Sequence, residues 1–184
     1  MIKFQNAKYI LSAPSKEFRP KDSLKEIVFV GKSNVGKSSL INSLTAQKIA
    51  FSSKNAGKTR YLNYFLIDNS FYLVDSPGYG FTAYGSKEDV AFGDMMEDYF
   101  KNPYLKGCIF LIDTRREPSE EDLMLLEYLK EEEVPTVLVL TKSDLANQSD
   151  IAKAKKRYEG MEIIFVSRKT RPDLLRSKIA NLLK

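Results

Sequence analysis

Four short runs in this chain carry residue types suited to holding a phosphorylated ligand. The first is Gly31-Lys32-Ser33-Asn34-Val35-Gly36-Lys37-Ser38, which has the G-x-x-x-x-G-K-[ST] spacing of a phosphate-binding loop. Its glycines let the backbone wrap tightly and aim N–H groups inward, and a helix beginning at its end adds positive potential from its N-terminus. Lys37 would bring a point charge to the outer phosphates and Ser38 a hydroxyl to Mg²⁺. The bland alternative is a glycine turn between strand and helix. The second run is Asp75-Ser76-Pro77-Gly78. An acidic residue that ends an apolar strand is the expected second Mg²⁺ element of a phosphate-loop NTPase. Gly78 can bring its N–H against a γ-phosphate because no side chain stands in the way. A Pro-Gly turn would also account for this run.

The third run, Thr141-Lys142-Ser143-Asp144, offers a carboxylate for a base. Guanine presents N1–H and N2–H₂ as adjacent donors that one carboxylate accepts together, and adenine lacks that edge. Asp144 is the base-reading candidate, and the Lys142 stem can cover the ring face. Read alone, the run is equally a helix N-cap with Asp144 as the capping group. The fourth run, Ser167-Arg168-Lys169, is placed to offer backbone N–H groups to the guanine O6.

These runs need elements to bring them together. Ile27–Val30, Gly107–Ile112, Val137–Leu140 and Ile163–Val166 are short, continuously apolar stretches and read as buried strands. Tyr61–Ile67 and Phe71–Val74 read as two strands joined by Asp68-Asn69-Ser70, an antiparallel hairpin. Helices are predicted over Ser38–Gln47, Lys87–Phe100, Glu120–Glu132, 149–158 and 172–183. Ser119 with Asp122 resembles a capping box for the third helix, whose core candidates are Leu123, Leu126, Tyr128 and Leu129. In the last two helices Ile151, Ala154, Tyr158, Leu174, Leu175, Ile179 and Leu182 are expected to be buried. Apolar strands alternating with helices predict a three-layer α/β domain with a mostly parallel sheet of about six strands and one antiparallel edge strand. All four runs then fall beyond the carboxyl ends of strands, where such sheets bind ligands.

Composition removes competing chemistries. The 184 residues contain no histidine, which excludes imidazole catalysis and histidine metal sites, and one cysteine, Cys108, which excludes an internal disulfide. No apolar run approaches the ~20 residues that span a membrane, and the lone cysteine suits a reducing compartment, so a cytoplasmic location is expected. The net charge of +5 is uneven: residues 142–184 hold 11 Lys and Arg against 5 Asp and Glu, while 115–133 hold 3 against 8. A basic C-terminal quarter suggests a polyanionic partner, the alternative being a solvated helical face.

Taken together, the segments GKSNVGKSSLIN, AGKTR, DSPGYG, TKSD and SRK resemble the translation-factor-related P-loop GTPases. Within these they are most similar to the EngB (YihA/YsxC) family of bacterial ribosome-assembly GTPases. The signature GxSNVGKSSLIN is met from Gly31 to Asn42, the first-switch GKT at Gly57-Lys58-Thr59 and D-x-PGYG from Asp75 to Gly80. The likeness runs from about Ser23 to the end, which makes 23–184 the GTP-binding domain and 1–22 an N-terminal extension packed on or beside it. The chain departs at Ser76, commonly Leu in the family, and at Ser167-Arg168, commonly a Ser-Ser pair. The resemblance implies that Thr59 closes on Mg²⁺ with Ser38 and Asp75, and that Lys37, Thr59 and Gly78 serve catalysis. It implies nucleotide contacts at Gly31, Lys32, Ser33, Asn34, Val35, Gly36, Ser39, Gly57, Thr141, Lys142, Asp144, Ser167 and Arg168. From the residues alone, Thr59 could not be chosen over Ser52 or Ser53. Asn34 looks like a ligand for K⁺ bridging the phosphates, or else a residue tolerating a turn. Ras-type GTPases have a water-orienting glutamine where this chain has Tyr79, so Tyr79 is read as packing or moving with the second switch. The function implied is slow GTP hydrolysis as a switch in assembly of the large ribosomal subunit, by a monomer in contact with that subunit and its rRNA. The alternatives are a nucleotide-gated binding module with negligible turnover and an NTPase serving another process.

Overall fold

Along β2 (Lys25–Gly31), Ile27 and Phe29 enter one apolar layer and Val28 and Val30 the other, and all four are fully buried. This alternation, set by the two-residue period of a strand, repeats in β5 (Leu105–Asp113) and β6 (Thr136–Thr141). The computed structural model describes residues 2–50, 61–80 and 85–184. Gly57, Lys58 and Thr59, together with Ser52 and Ser53, lie outside the described residues.

Among the described residues the sheet has the order β1-β3-β4-β2-β5-β6-β7. It is completed by β1 (Ala7–Ala13), β3 (Leu62–Ile67), β4 (Phe71–Asp75) and β7 (Ile163–Phe165). Helices α1 (Lys37–Thr45) and α5 (Asp173–Leu182) cover one face; α2 (Lys87–Phe100), α3 (Glu120–Glu131) and α4 (Gln148–Arg157) cover the other. The expected three-layer, mostly parallel architecture is present. So is the hairpin, joined by the three residues Asp68-Asn69-Ser70, with Asp68 and Asn69 both at positive φ (49° and 51°), a backbone conformation that Asp and Asn tolerate.

The seventh strand is the difference from expectation. β1 pairs antiparallel with β3, so the edge is a strand of the N-terminal region and β3 is interior. It escaped pattern reading because its register shifts between Tyr9 and Leu11, and Lys8, Tyr9 and Ile10 are exposed, which breaks any apolar alternation. The chain before it is tied to the hairpin turn. The Asp68 carboxylate accepts from the N–H groups of Lys3, Phe4 and Asn6 at 3.0, 2.9 and 3.1 Å, and Phe4 is buried under Arg176 of α5.

Two helix faces also differ. Leu123 on α3 and Leu174 on α5 are 52% and 58% exposed, although both were expected in the core. Leu129 on α3 and Leu175 and Ile179 on α5 take the inward positions, and Leu174, one residue from Leu175, and Leu123, six residues from Leu129, are turned away from that face. The capping box at Ser119 and Asp122 is present.

Candidate functional site

The phosphate-loop run follows β2, which lies between β4 and β5, and so starts at the point where the chain order of the sheet reverses. The loop closes on α1, whose N-cap is Gly36 at φ 114° with no side chain capping the first turn. A residue with a Cβ is strained at that angle. With no capping side chain, the N–H groups of the first turn, which includes Lys37, Ser38 and Ser39, are available to an anion. Lys37 is buried, and its Nζ donates to the Gly31 carbonyl at 2.8 Å and the Lys32 carbonyl at 3.3 Å. Asn34 adopts φ 62° and is exposed, the turn geometry that asparagine tolerates.

Asp75 ends β4 beside this helix. Its Oδ2 accepts from Ser38 Oγ at 2.9 Å, and its buried Oδ1 has no partner among the described residues. Burial pushes the Asp75 carboxyl up, against the opposing pull of Lys37 and Ser38, and pushes the Lys37 ammonium down. A hydroxyl and an orphaned carboxylate oxygen on one side and a desolvated ammonium on the other suit a hard divalent cation and an anionic ligand, each balancing one of these charges. Ser76 is buried with its hydroxyl donating to the Phe29 carbonyl at 2.8 Å, so the polar side chain is satisfied. Gly78 lies against the loop: a Cβ there would stand 2.7 Å from Ser33 Cα.

At the end of β6, Thr141 and Lys142 brace the loop from outside. Thr141 Oγ1 donates to the Val35 carbonyl at 2.9 Å, and Lys142 Nζ donates to the Asn34 carbonyl at 3.1 Å. Lys142 is held in turn by Asp113 at 3.2 Å, and Asp113 also binds Arg115 at 2.7 Å. Burial opposes charge on Asp113, yet Arg115 and Lys142 outweigh it and keep its carboxyl well below the usual range. A cavity of about 220 Å³ opens between the loop, the end of β5 and the first turn of α3, lined among others by Lys32, Asn34, Asp113, Asp122 and Lys142. Asp144 stands exposed in the short 3₁₀ turn Ser143–Leu145. It does not cap α4, because Asn147 does, accepting from the Asp150 N–H at 2.8 Å in a second capping box.

In the loop after β7 the Ser167 N–H is taken by Thr170 Oγ1 at 3.0 Å and the Lys169 N–H by Ser167 Oγ at 3.2 Å. Of the three N–H groups expected to face a base, that of Arg168 remains. Two residues of consequence were not among the sequence candidates. Asp113 carried the signal of an acidic residue ending an apolar strand, as Asp75 does. Asp122 was visible only as a helix cap, because its second partner, Tyr79, is 43 residues away.

Comparisons with known proteins bear on the family and the fold. The family described as 50S ribosome-binding GTPase matches residues 26–142. A probable GTP-binding protein EngB of Lactobacillus acidophilus is 46% identical over 142 residues, covering 76% of this chain and 72% of that one. Its counterpart in Clostridium perfringens is 42% identical over 157 residues, covering 84% and 80%. In fold, the chain is similar to the crystal structure of a probable GTP-binding protein engB, with a TM-score of 0.67 at 23% identity over 86% of this chain and 98% of that one. It is also similar to Era in complex with MgGDPNP and nucleotides 1506–1542 of 16S ribosomal RNA, with a TM-score of 0.68 at 24% identity over 88% and 57%. With a family match over more than half its length and relatives of this identity, the chain belongs to the EngB GTP-binding proteins of the P-loop GTPase family.

Proposed function

We propose that this GTPase binds GTP with Mg²⁺, hydrolyses it slowly to GDP and phosphate, and uses the two states as a switch in assembly of the large ribosomal subunit. The observation that carries the nucleotide reading is the Lys37, Ser38 and Asp75 group, with its buried unpartnered Oδ1, at the mouth of an uncapped helix. In this reading the loop from Gly31 to Gly36 wraps the phosphates, and Lys37 leaves its carbonyl partners for the β- and γ-oxygens. Ser38, Asp75 and Thr59 would hold Mg²⁺, which would supply positive charge against the negative charge of the phosphates. Water attacks the γ-phosphorus in line, and Lys37 and the loop N–H groups, with that of Gly78, take up the developing charge. Asp144 accepts N1–H and N2–H of guanine, the Lys142 stem lies on the ring, and the Arg168 N–H meets O6. K⁺ beside Asn34 belongs to the same proposal. Slow turnover is supported by Tyr79, which occupies the position of a water-orienting glutamine yet is buried with its hydroxyl engaged.

The ribosomal part rests on the family description and on the basic C-terminal quarter, in a chain read as a cytoplasmic monomer. Among the described helices none is long and apolar enough to cross a membrane. Part of the basic charge is already used: Arg157 pairs with Glu117 and Lys178 with Glu162, and Lys155 lies over the Phe165 ring. Lys153 and Lys156 on α4 are exposed and are the better candidates for rRNA phosphates. Co-sedimentation with purified large subunits under a GTP analogue and GDP tests the reading. Binding is expected with one nucleotide and not the other, weakening steeply with salt, and reduced by Lys153→Glu with Lys156→Glu at unchanged GTP affinity. Equal binding in both nucleotide states would refute the switch.

A further inference from the structure

The residue after Gly78 is where the second switch is fastened to the rest of the domain. Tyr79 is only 4% exposed, and its ring lies 5.6 Å from that of Phe92 on α2. Its hydroxyl donates to Asp122 Oδ1 at 2.6 Å, and its carbonyl accepts the Ser33 N–H at 3.0 Å. The other oxygen of Asp122 caps α3, accepting the Ser119 N–H at 2.8 Å and the Ser119 hydroxyl at 3.1 Å. Asp122 is itself buried, so each of its oxygens has a fixed partner and little freedom to turn away. A second link runs alongside, Lys32 Nζ to Glu121 at 3.4 Å. On the other side of Gly78, Ser76 is bound by N–H and hydroxyl to the Phe29 carbonyl. The segment from Ser76 to Tyr79, which carries the Gly78 N–H, is therefore held at both ends against the phosphate loop, with Gly78 packed on Ser33 closely enough that no side chain would fit.

We propose that Asp122 is a positioning residue for the γ-phosphate: through the Tyr79 hydroxyl it keeps the Gly78 N–H against the phosphate loop before GTP arrives. This rests on the reading of Gly78 as the γ-phosphate contact. The physical gain is preorganisation. A loop N–H that is already in place loses little conformational freedom on binding, whereas one gathered from a mobile loop takes that loss out of the affinity. GDP has no third phosphate and does not call on Gly78, so the arrangement favours GTP selectively. A buried carboxylate deprived of its donor has reason to rearrange, so losing either partner releases the segment that carries the Gly78 N–H.

The test compares affinities for a non-hydrolysable GTP analogue with Mg²⁺ and for GDP in the full chain, with thermal melts to show folding. Tyr79→Phe, which deletes one oxygen and keeps the ring, is expected to weaken analogue binding about tenfold while GDP stays within about twofold. Asp122→Asn is expected to do the same. Ser119→Ala loosens the cap of α3 but leaves the Tyr79 acceptor, and its ratio of affinities is expected to match the unmutated chain. Gly78→Ala serves as the check on the underlying reading. If Gly78→Ala lowers the ratio and Tyr79→Phe does not, the Gly78 contact stands and the positioning role is overturned. If Gly78→Ala leaves the ratio unchanged, the Gly78 reading itself has failed. If Ser119→Ala lowers the ratio as much as Tyr79→Phe, the effect belongs to the stability of α3 and the proposal is wrong.

Discussion

Replacing Asp144 by alanine separates base recognition from helix capping, the two roles its sequence context allowed. In the structure Asp144 is exposed in the 3₁₀ turn Ser143–Leu145, and α4 takes its cap from Asn147. Its removal therefore takes no hydrogen bond from the helix, and the melting temperature is expected to hold. The loss falls on the nucleotide. Two charge-assisted hydrogen bonds to guanine, each worth ~1.5–3 kcal/mol, correspond to a ~10²–10⁴-fold loss of GDP affinity. Asp144→Asn is expected to shift preference toward xanthosine diphosphate, whose 2-oxo group accepts from the new amide. Asn147→Ala is the opposite perturbation: loss of the cap costs about 1 kcal/mol and lowers the melting temperature by ~2–4 °C in a chain of this size, with GDP affinity unchanged. Calorimetric titration with GDP, xanthosine diphosphate and ADP, beside thermal melts of each variant, gives both readouts. Equal binding of GDP and ADP by the unmutated chain would refute the reasoning, as would an Asp144→Ala variant that melts early yet binds GDP normally.

Ser38→Ala is expected to weaken Mg²⁺-dependent GTP binding more than Mg²⁺-free GDP binding, because it removes the hydroxyl paired with Asp75. Lys37→Ala is expected to weaken both, and titrations showing no change in either variant would contradict the phosphate-loop assignment. If Asn34 holds K⁺, hydrolysis is faster in K⁺ than in Na⁺ and Asn34→Gly abolishes the difference; glycine is the right replacement because alanine is strained at φ 62°. Single-turnover phosphate release in the two salts decides this, identical rates leaving Asn34 its turn role alone. Asp68 links pH to stability. Burial opposes its ionisation, but the N–H groups of Asn6, Phe4 and Lys3 outweigh this and hold its carboxyl below the usual 3.8. A carboxyl depressed by folding contributes fully above its unfolded pKa and loses that contribution as pH falls through its folded one. The unmutated chain is therefore expected to melt above Asp68→Asn at about pH 6, the two converging as pH falls below the usual carboxylate range; a gap that persists in strong acid would refute the tether.

How much was legible from the chain depended on whether the relevant interaction was local. β2, β5 and β6 were readable because strands buried on both faces are continuously apolar. The Asp68-Asn69 turn was readable because positive φ has its own residue preferences. The phosphate loop was readable because its spacing is a local property of one strand–loop–helix unit. The same chemistry could not say whether Asp144 caps a helix. Asn147, three residues on, settles that only once α4 is seen to start at Gln148. β1 was lost because an edge strand with a register shift buries too little to impose a pattern. Leu123 and Leu174 were misplaced because an apolar residue near a helix's inner face is not thereby on it. What the chain alone determined is the order of the elements and the chemistry available at each strand end. The partners that cross the fold were decided by tertiary packing: Thr141 on Val35 at a separation of 106 residues, and Asp122 on Tyr79 at 43. Hydrogen bonds between such distant residues leave no periodicity in the sequence, because they depend only on which strand ends and helix turns the sheet brings side by side.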